Sequence, residues 1–260
     1  MDSIYIVKVG GAIVEDEQRL GQLLCHFSAL PGKKILVHGG GRSATKLAER
    51  LGLESVMVNG RRVTDEAMLR VVTMVYGGEV NKHLVARLQA EGVNALGLTG
   101  ADGNVIRSHR RAVTADGTDF GFVGDVEQVD AQLLSMLLEG GITPVMAPLT
   151  YDGHGQMLNT NADTIASEVA KALADRYDVT LLYCFEKSGV LRDPNDDGSL
   201  IPVITPADFE SFVADGTISG GMIPKLENAL QAVAAGIRQV IITRADAMDG
   251  RHGTVIRAEA

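Results

Sequence analysis

The chain has 260 residues, 45% hydrophobic and 22% charged, a globular composition long enough to bury the core of one large α/β domain or two lobes. A net charge of −9, 4% aromatics and no Trp argue against a nucleic-acid binder, which needs a basic face or stacking platforms. No signal peptide or bilayer-spanning apolar run is visible, and Cys25 and Cys184 sit in apolar runs without metal-ligand spacing. The expectation is a soluble cytoplasmic protein with both thiols buried and reduced, and with no membrane or nucleic-acid partner.

Ile4-Tyr5-Ile6-Val7-Lys8-Val9 is an apolar run with one lysine near its end, and Gly10-Gly11 follow at once. A run apolar on both faces reads as a buried strand. The glycines let the backbone turn tightly or let a ligand approach. Lys8 would then stand at the C-terminal edge of a sheet, where open α/β folds bind ligands; snorkelling out of a strand end is the plain alternative. Glu15 to Leu30 carries Leu20, Leu23, Leu24, Phe27 and Leu30 at three- and four-residue steps, an amphipathic helix. Lys34 to His38 is a second buried strand that runs into Gly39-Gly40-Gly41, with a helix to about Leu51. Two βα units in succession predict a parallel sheet covered by helices.

Val56 to Val63, with Asn59-Gly60 at its centre, reads as a hairpin. A helix opens at Thr64-Asp65-Glu66, and a second helix is expected after Gly77-Gly78. Ala95 to Leu98 is a strand ending in a turn. Val105 to Val129 is strand-like and irregular and includes Arg107, His109, Arg110 and Arg111. A helix over Ala131 to Glu139 and a strand over Thr143 to Ala147 follow. After the turn at Tyr151 to Gly155, Asn159-Thr160-Asn161-Ala162-Asp163 leads into a helix to about Ala174. The last third repeats the pattern: a strand over Val179 to Phe185, a loop from Lys187 to Gly198, and a helix over Pro206 to Ala214. A glycine-bearing loop from Thr217 to Lys225 enters another helix, and strands cover Gln239 to Thr243 and Gly253 to Arg257. No solenoid repeat or low-complexity linker interrupts it. The lobe boundary is expected near Asp175–Asp178, giving lobes 1–174 and 175–260.

Three glycines between a buried strand and a helix put bare N–H groups at a helix N-terminus, an anion site suited to a phosphoryl group. The stretch also scores as G-x-G-x-x-A, but the next strand ends without an acid and turns back as a hairpin, which argues against a dinucleotide. The P-loop pattern and the protein-kinase H-R-D and D-F-G signatures are absent. Lys225 closes a second glycine loop in the first turn of a helix, where a cation opposes the macrodipole. That conflict is of the kind functional sites carry; a solvated lysine is the plain alternative. Plain N-capping accounts for one or two of the polar groups in Asn159-Thr160-Asn161-Ala162-Asp163 but not for all on one side. An aspartate between two lysines would hold both charged and aimed. Arg61 and Arg62 follow the hairpin turn, where an arginine beside a phosphate site could clamp a carboxylate.

The set Lys8-Val9-Gly10-Gly11, His38-Gly39-Gly40-Gly41, Asn59-Gly60-Arg61-Arg62-Val63-Thr64, Asn159-Thr160-Asn161-Ala162-Asp163 and Gly221-Met222-Ile223-Pro224-Lys225 resembles the amino acid kinase family from first strand to last. The hairpin and Asn-x-Asn-Ala-Asp pieces narrow the resemblance to its kinases of N-acetyl-L-glutamate. It implies an open three-layer αβα sandwich with a mainly parallel central sheet. The N-terminal lobe would bind the acyl-amino acid and mediate dimerisation, and the C-terminal lobe would bind ATP. The γ-carboxylate of N-acetyl-L-glutamate would attack the γ-phosphoryl of ATP, giving an acyl phosphate in arginine biosynthesis. By match of position, Lys8 and Lys225 would stabilise the transferring phosphoryl and Asp163 would organise both. Gly40, Gly41, Arg62, Asn159 and Asn161 would meet the substrate. Gly10, Gly11, Glu186, Lys187, Ser188, Gly189, Leu191, Thr217 and Ser219 would line the nucleotide. Such transfer needs in-line positioning and charge neutralisation. A carboxylate nucleophile is already ionised at pH 7, and Mg²⁺ would arrive with ATP rather than in a protein cage.

Two positions depart from the family pattern. Glu186-Lys187-Ser188-Gly189 stands where an Asp-Val-Ser-Gly-like turn is usual. Arg61 stands where an apolar residue is usual, close to the expected acyl group. A cation there would suit an acyl group ending in a carboxylate, making N-succinyl-L-glutamate an alternative substrate; another activity of the family, such as aspartate, glutamate or uridylate phosphorylation, is the other alternative, against which the Asn-Gly-Arg-Arg-Val-Thr hairpin speaks. Alternation along the hairpin instead favours Arg61 pointing to solvent. Arginine-inhibited hexamers of the family carry an extra N-terminal helix that this sequence lacks, so a homodimer without strong arginine feedback is expected.

Overall fold

A computed structural model describes residues 1–58, 60–185, 187–193, 195–220 and 222–259. β1 (Ser3–Val9) runs into α1 (Gly11–Val14) and α2 (Glu17–Ala29), and β2 (Lys33–His38) into α3 (Gly41–Arg50). β3 (Met57–Val58) and β4 (Arg61–Arg62) pair as the expected hairpin. α4 (Glu66–Val72), capped by the Asp65 side chain, passes through a π-helical stretch, Thr73–Val80, into α5 (Asn81–Ala90). β5 (Ala95–Leu98), β6 (Ile106–Arg110) and β7 (Gly124–Val129) precede α6 (Ala131–Glu139). β8 (Thr143–Met146), β9 (Leu149–Tyr151) and β10 (Met157–Asn159) lead to α7 (Ala162–Leu173). β11 (Asp178–Phe185), β12 (Val203–Ile204), α8 (Pro206–Ala214), α9 (Met222–Ala234), β13 (Gln239–Arg244) and β14 (Thr254–Ile256) complete the chain.

The central sheet has eight strands in the order β12-β14-β13-β11-β1-β2-β8-β5, parallel except where β14 meets β13. Two apolar layers cover it. Alternation along β1 sends Ile4 and Ile6 to one face, with Leu181 and Tyr183 of β11 and the buried sides of α7 and α9. Val7 and Val9 go to the other face, against α2, α3 and the α4–α5 helix. This is the expected sandwich. A four-stranded sheet, β10-β9-β6-β7, and the β3–β4 hairpin stand apart from it. From β1 the strand order runs to β2 on one side and β11 on the other. The C-terminal end of β1 is therefore a topological switch point, where open α/β sheets leave a crevice.

Two expectations are corrected. Gly77-Gly78 do not separate two helices; they lie inside the continuous π-helical stretch. A Cβ on Gly77 would come 3.4 Å from Leu149 Cδ1, so the glycine serves close helix packing instead of a break. Cys184 is buried as expected, but Cys25 is exposed. The buried stripe of α2 is Leu20, Leu23, Leu24 and Phe27, and Cys25 falls off it. Among the described residues no helix is long and apolar enough to cross a membrane.

Candidate functional site

The strand parity that buries Ile4 and Ile6 carries Lys8 to the α7 side of the sheet, where its ammonium meets Asp163 Oδ1 at 2.8 Å. Asp163 lies in the first turn of α7, where a carboxylate suits the helix dipole. Its Oδ1 is buried, and the contact with Lys8 is an ion pair rather than an aligned hydrogen bond. Phe185, the last residue of β11, shares this face. Lys8 Nζ lies 5.4 Å from its ring centroid and Lys225 Nζ, in the first turn of α9, lies 4.3 Å from it. The three polar residues expected to carry the chemistry therefore converge at the switch point. The ion pair of Asp163 is with Lys8, however, and Lys225 rests on an aromatic ring.

The two glycine loops lie against each other beside this cluster. A Cβ on Gly11 would come 3.6 Å from the amide nitrogens of both Gly40 and Gly41. Gly10 caps α1 and Gly40 caps α3, neither with a side-chain bond, so the helix N-termini present bare amides. Gly40 also gives room to Tyr76, whose Cδ1 would be 2.8 Å from a Cβ there. Behind the loop, His38 is fully buried, with Nδ1 2.7 Å from Gly39 O and Nε2 3.1 Å from Asn81 Nδ2. A carbonyl only accepts, so these partners imply the neutral Nδ1–H tautomer. Burial pushes the His38 pKa down to about 4.

Gly40, Gly41, Arg61, Arg62, Asn159 and Asn161 line one cleft of about 200 Å³. Arg62 is buried and donates to Gly41 O and Thr45 Oγ1, both at 2.8 Å, and to Ser55 Oγ at 2.8 Å. Much of its donor capacity thus fastens the hairpin to α3. Asn159 Nδ2 donates to Thr64 Oγ1 at 2.9 Å. Asn161 is the N-cap of α7, its Oδ1 accepting from the amides of Asp163 and Thr164, so capping accounts for this member of the motif. Arg61 is exposed, yet it lines the cleft instead of facing only solvent. Desolvation, then the charge of Arg111, lowers its pKa while Asp125 opposes the shift.

Lys187, Gly189, Leu191, Thr217 and Ser219 line a second, mostly apolar cleft with Val190, Ile218 and Met222. Gly189 is required by close approach: a Cβ there would stand 2.5 Å from Leu200 Cδ1 and 2.6 Å from Thr254 Oγ1. Ser188 Oγ is buried without a partner among the described residues. Lys187 pairs with Asp197 at 2.8 Å on the surface. Glu186, Gly221 and Asn59 lie outside the described residues. The N-termini of α7 and α9 connect the parts: Ala162 and Thr164 line the first cleft beside Asp163, and Met222 lines the second one turn before Lys225. Lys8, through Asp163, thus adjoins the basic cleft, and Lys225, one turn from Met222, adjoins the apolar one, an arrangement able to neutralise charge on a transferred group.

Sequence reasoning missed three contributors. Arg111 lines the first cleft, held by Asp125 through Nε at 3.1 Å and through Nη2. The basic cluster Arg107, His109, Arg110 and Arg111 included the residue but gave it no role in the site. Tyr76 is brought to Gly40 only by the π-helical stretch, which no local signal announces. Phe185 was legible as a strand end; its neighbours depend on the register that sets Lys8 opposite Tyr183.

The profile of the amino acid kinase family matches residues 3–244. An acetylglutamate kinase of Phocaeicola vulgatus is 66% identical over 256 residues, covering 98% of this chain and 99% of the relative. One of Bacteroides thetaiotaomicron is 64% identical with the same coverage. A solved structure from Streptococcus mutans superposes with a TM-score of 0.78 at 31% identity, covering 100% of both chains. With its sheet order, its paired glycine loops and this match over nearly the whole length, the chain belongs to the amino acid kinase family.

Proposed function

We propose that the chain transfers the γ-phosphoryl of ATP to the γ-carboxylate of N-acetyl-L-glutamate, giving an acyl phosphate. It is a kinase, and the reaction is a step of arginine biosynthesis. The observation that carries this reading is the meeting of Lys8, Asp163 and Lys225 between the two clefts. In it, the arginine-lined cleft takes the acyl-amino acid and the apolar cleft takes the nucleoside. The amides of Gly10, Gly11, Gly40 and Gly41 and the two lysines receive the phosphoryl charge. Ser188, whose hydroxyl is buried without a partner among the described residues, and Lys187, Gly189, Leu191, Thr217 and Ser219 face the nucleotide. Mg²⁺ would be carried on the nucleotide's phosphate oxygens and add positive charge there. Among the described residues no cluster of three or more His, Cys, Asp or Glu side chains could hold a metal ion.

Hydroxylamine trapping of the acyl phosphate tests the reading. Hydroxamate is expected with ATP and N-acetyl-L-glutamate, and its loss in Lys8→Arg and Asp163→Ala with folding intact. No hydroxamate from the unmodified protein overturns the reading, and undiminished turnover in both variants overturns the roles given to Lys8 and Asp163.

A second reading has a specific observation behind it. Arg61 and Arg111 both line the substrate cleft, and Arg61 is held below its ordinary pKa by desolvation. Arg61, with Arg111 beside it held by Asp125, would suit the terminal carboxylate of N-succinyl-L-glutamate. The ratio of kcat/KM for the succinyl and acetyl compounds decides it, with Arg61→Ala expected to lower that ratio. A strong acetyl preference unchanged by Arg61→Ala rejects the succinyl reading. We also propose a cytoplasmic homodimer whose lobes, 1–174 and 175–260, serve acyl-amino acid and ATP respectively. The open edge of β5 with its exposed Leu96 supports self-association, which sedimentation in the presence and absence of arginine would measure.

A further inference from the structure

Phe185 closes a loop of contacts that the family motifs do not include. It ends β11, and its ring stacks on Tyr183 with centroids 6.1 Å apart and planes 14° apart. Tyr183 is buried in the core, and its hydroxyl donates to the backbone carbonyl of Asp163 at 3.4 Å. Asp163 in turn holds Lys8. Lys8 and Lys225 both lie within the roughly 6 Å at which a ring face attracts a cation, at 5.4 Å and 4.3 Å from the Phe185 centroid.

We propose that Phe185 is a positioning residue for phosphoryl transfer, its ring face holding the Lys225 ammonium, and with it Lys8, toward the transferring group.

The proposal rests on the kinase reading and deepens it. Two like charges that must act on one phosphoryl group repel each other. A carboxylate between them draws both together but cancels part of the charge they are there to supply. Asp163 does this for Lys8, where burial makes a counter-ion necessary. Lys225 is exposed, and a ring quadrupole orients it while leaving its full charge. The stacking on Tyr183 fixes the ring, so the angle of Lys225 is set from the sheet and not only from α9.

The test replaces Phe185 by its mono-, di- and trifluoro analogues, which draw electron density from the ring face and keep its shape. In the full-length enzyme kcat is expected to fall with each fluorine, while KM for ATP stays within about twofold. Phe185→Leu should lower kcat about tenfold, and Phe185→Tyr should retain it. Should Phe185→Leu fold poorly, the near-isosteric fluorinated series still reads the effect. A kcat flat across the series overturns the proposal, as does a change confined to KM for ATP, which would make the ring a nucleotide surface. Lys225→Ala, run alongside, separates the two levels. If Lys225→Ala abolishes turnover while the fluorinated series stays flat, the ring's role fails and the kinase reading stands. An unmodified protein that turns over no N-acyl-L-glutamate with ATP overturns both.

Discussion

Lys8 is buried, yet its ammonium reaches the sheet edge and is held at 2.8 Å by Asp163. A group so fixed contributes where charge develops, not where substrate docks. Lys8→Arg keeps the charge but moves it, and kcat is expected to fall by about 10²–10³ with KM for ATP little changed; steady-state kinetics measure the split. His38 gives a pH prediction of another kind. Its ring is neutral in the fold, with its pKa pushed down to about 4 from the ordinary 6.5. Below pH 6.5 the unfolded chain takes up a proton that the folded chain refuses until about pH 4. Stability is therefore lost as pH falls through that window. The expected loss attributable to His38 is about 2 kcal/mol between pH 7 and pH 5. Chemical denaturation at both pH values should show that increment in the parent protein and its absence in His38→Gln.

The α4–α5 helix and the loop before α3 constrain each other through one contact. Tyr76, on the π-helical stretch, occupies the space a Cβ on Gly40 would fill, 2.8 Å from its Cδ1. Gly40→Ala should cost about 1–3 kcal/mol of stability through overpacking. Tyr76→Ala should relieve part of that in the double variant, a non-additivity that a thermodynamic cycle measures. The elements differ in how openly the sequence declares them. β1, β2 and β11 are legible because strand-forming residues run unbroken and both faces are buried. α7 is legible at its start because Asn161 and Asp163 are good first-turn chemistry. The join at Gly77-Gly78 misleads because a glycine pair reads as a break, and only the packed partners Leu149 and Thr99 reveal its use. Of the candidate site, residues next to glycine loops stand out, since a loop that exposes amides implies an anion. Arg111 and Phe185 do not: Arg111 is aimed by Asp125 across the loop that leads into β7, and Phe185 takes its neighbours from the distant strand β1.

At the scale of the molecule, the two proposed lobes share one sheet. β1 pairs with β11 in parallel along its whole length, from Ser3↔Asp178 to Val9↔Cys184. A fragment ending at residue 174 keeps the candidate acyl-amino-acid cleft but bares one edge of β1 and the apolar surface of α7 that packs on α9. It is expected not to fold alone, giving no cooperative unfolding transition and a tendency to aggregate. A fragment that melts cooperatively would show the lobes to be independent.

The β1–β11 pairing also sets an order of events at birth. The strand bearing Lys8 is made first, but the strand that completes its pairing starts 175 residues later, at Asp178. At synthesis rates of about 5–20 residues per second, that partner emerges roughly 10–35 s after Ser3. β2 can satisfy one edge of β1 early, while the other edge waits with its amides and carbonyls unpaired. Closing so distant a pairing is slow by topology. During that interval the strand that carries the first lysine of the site offers an open edge to which another chain can add.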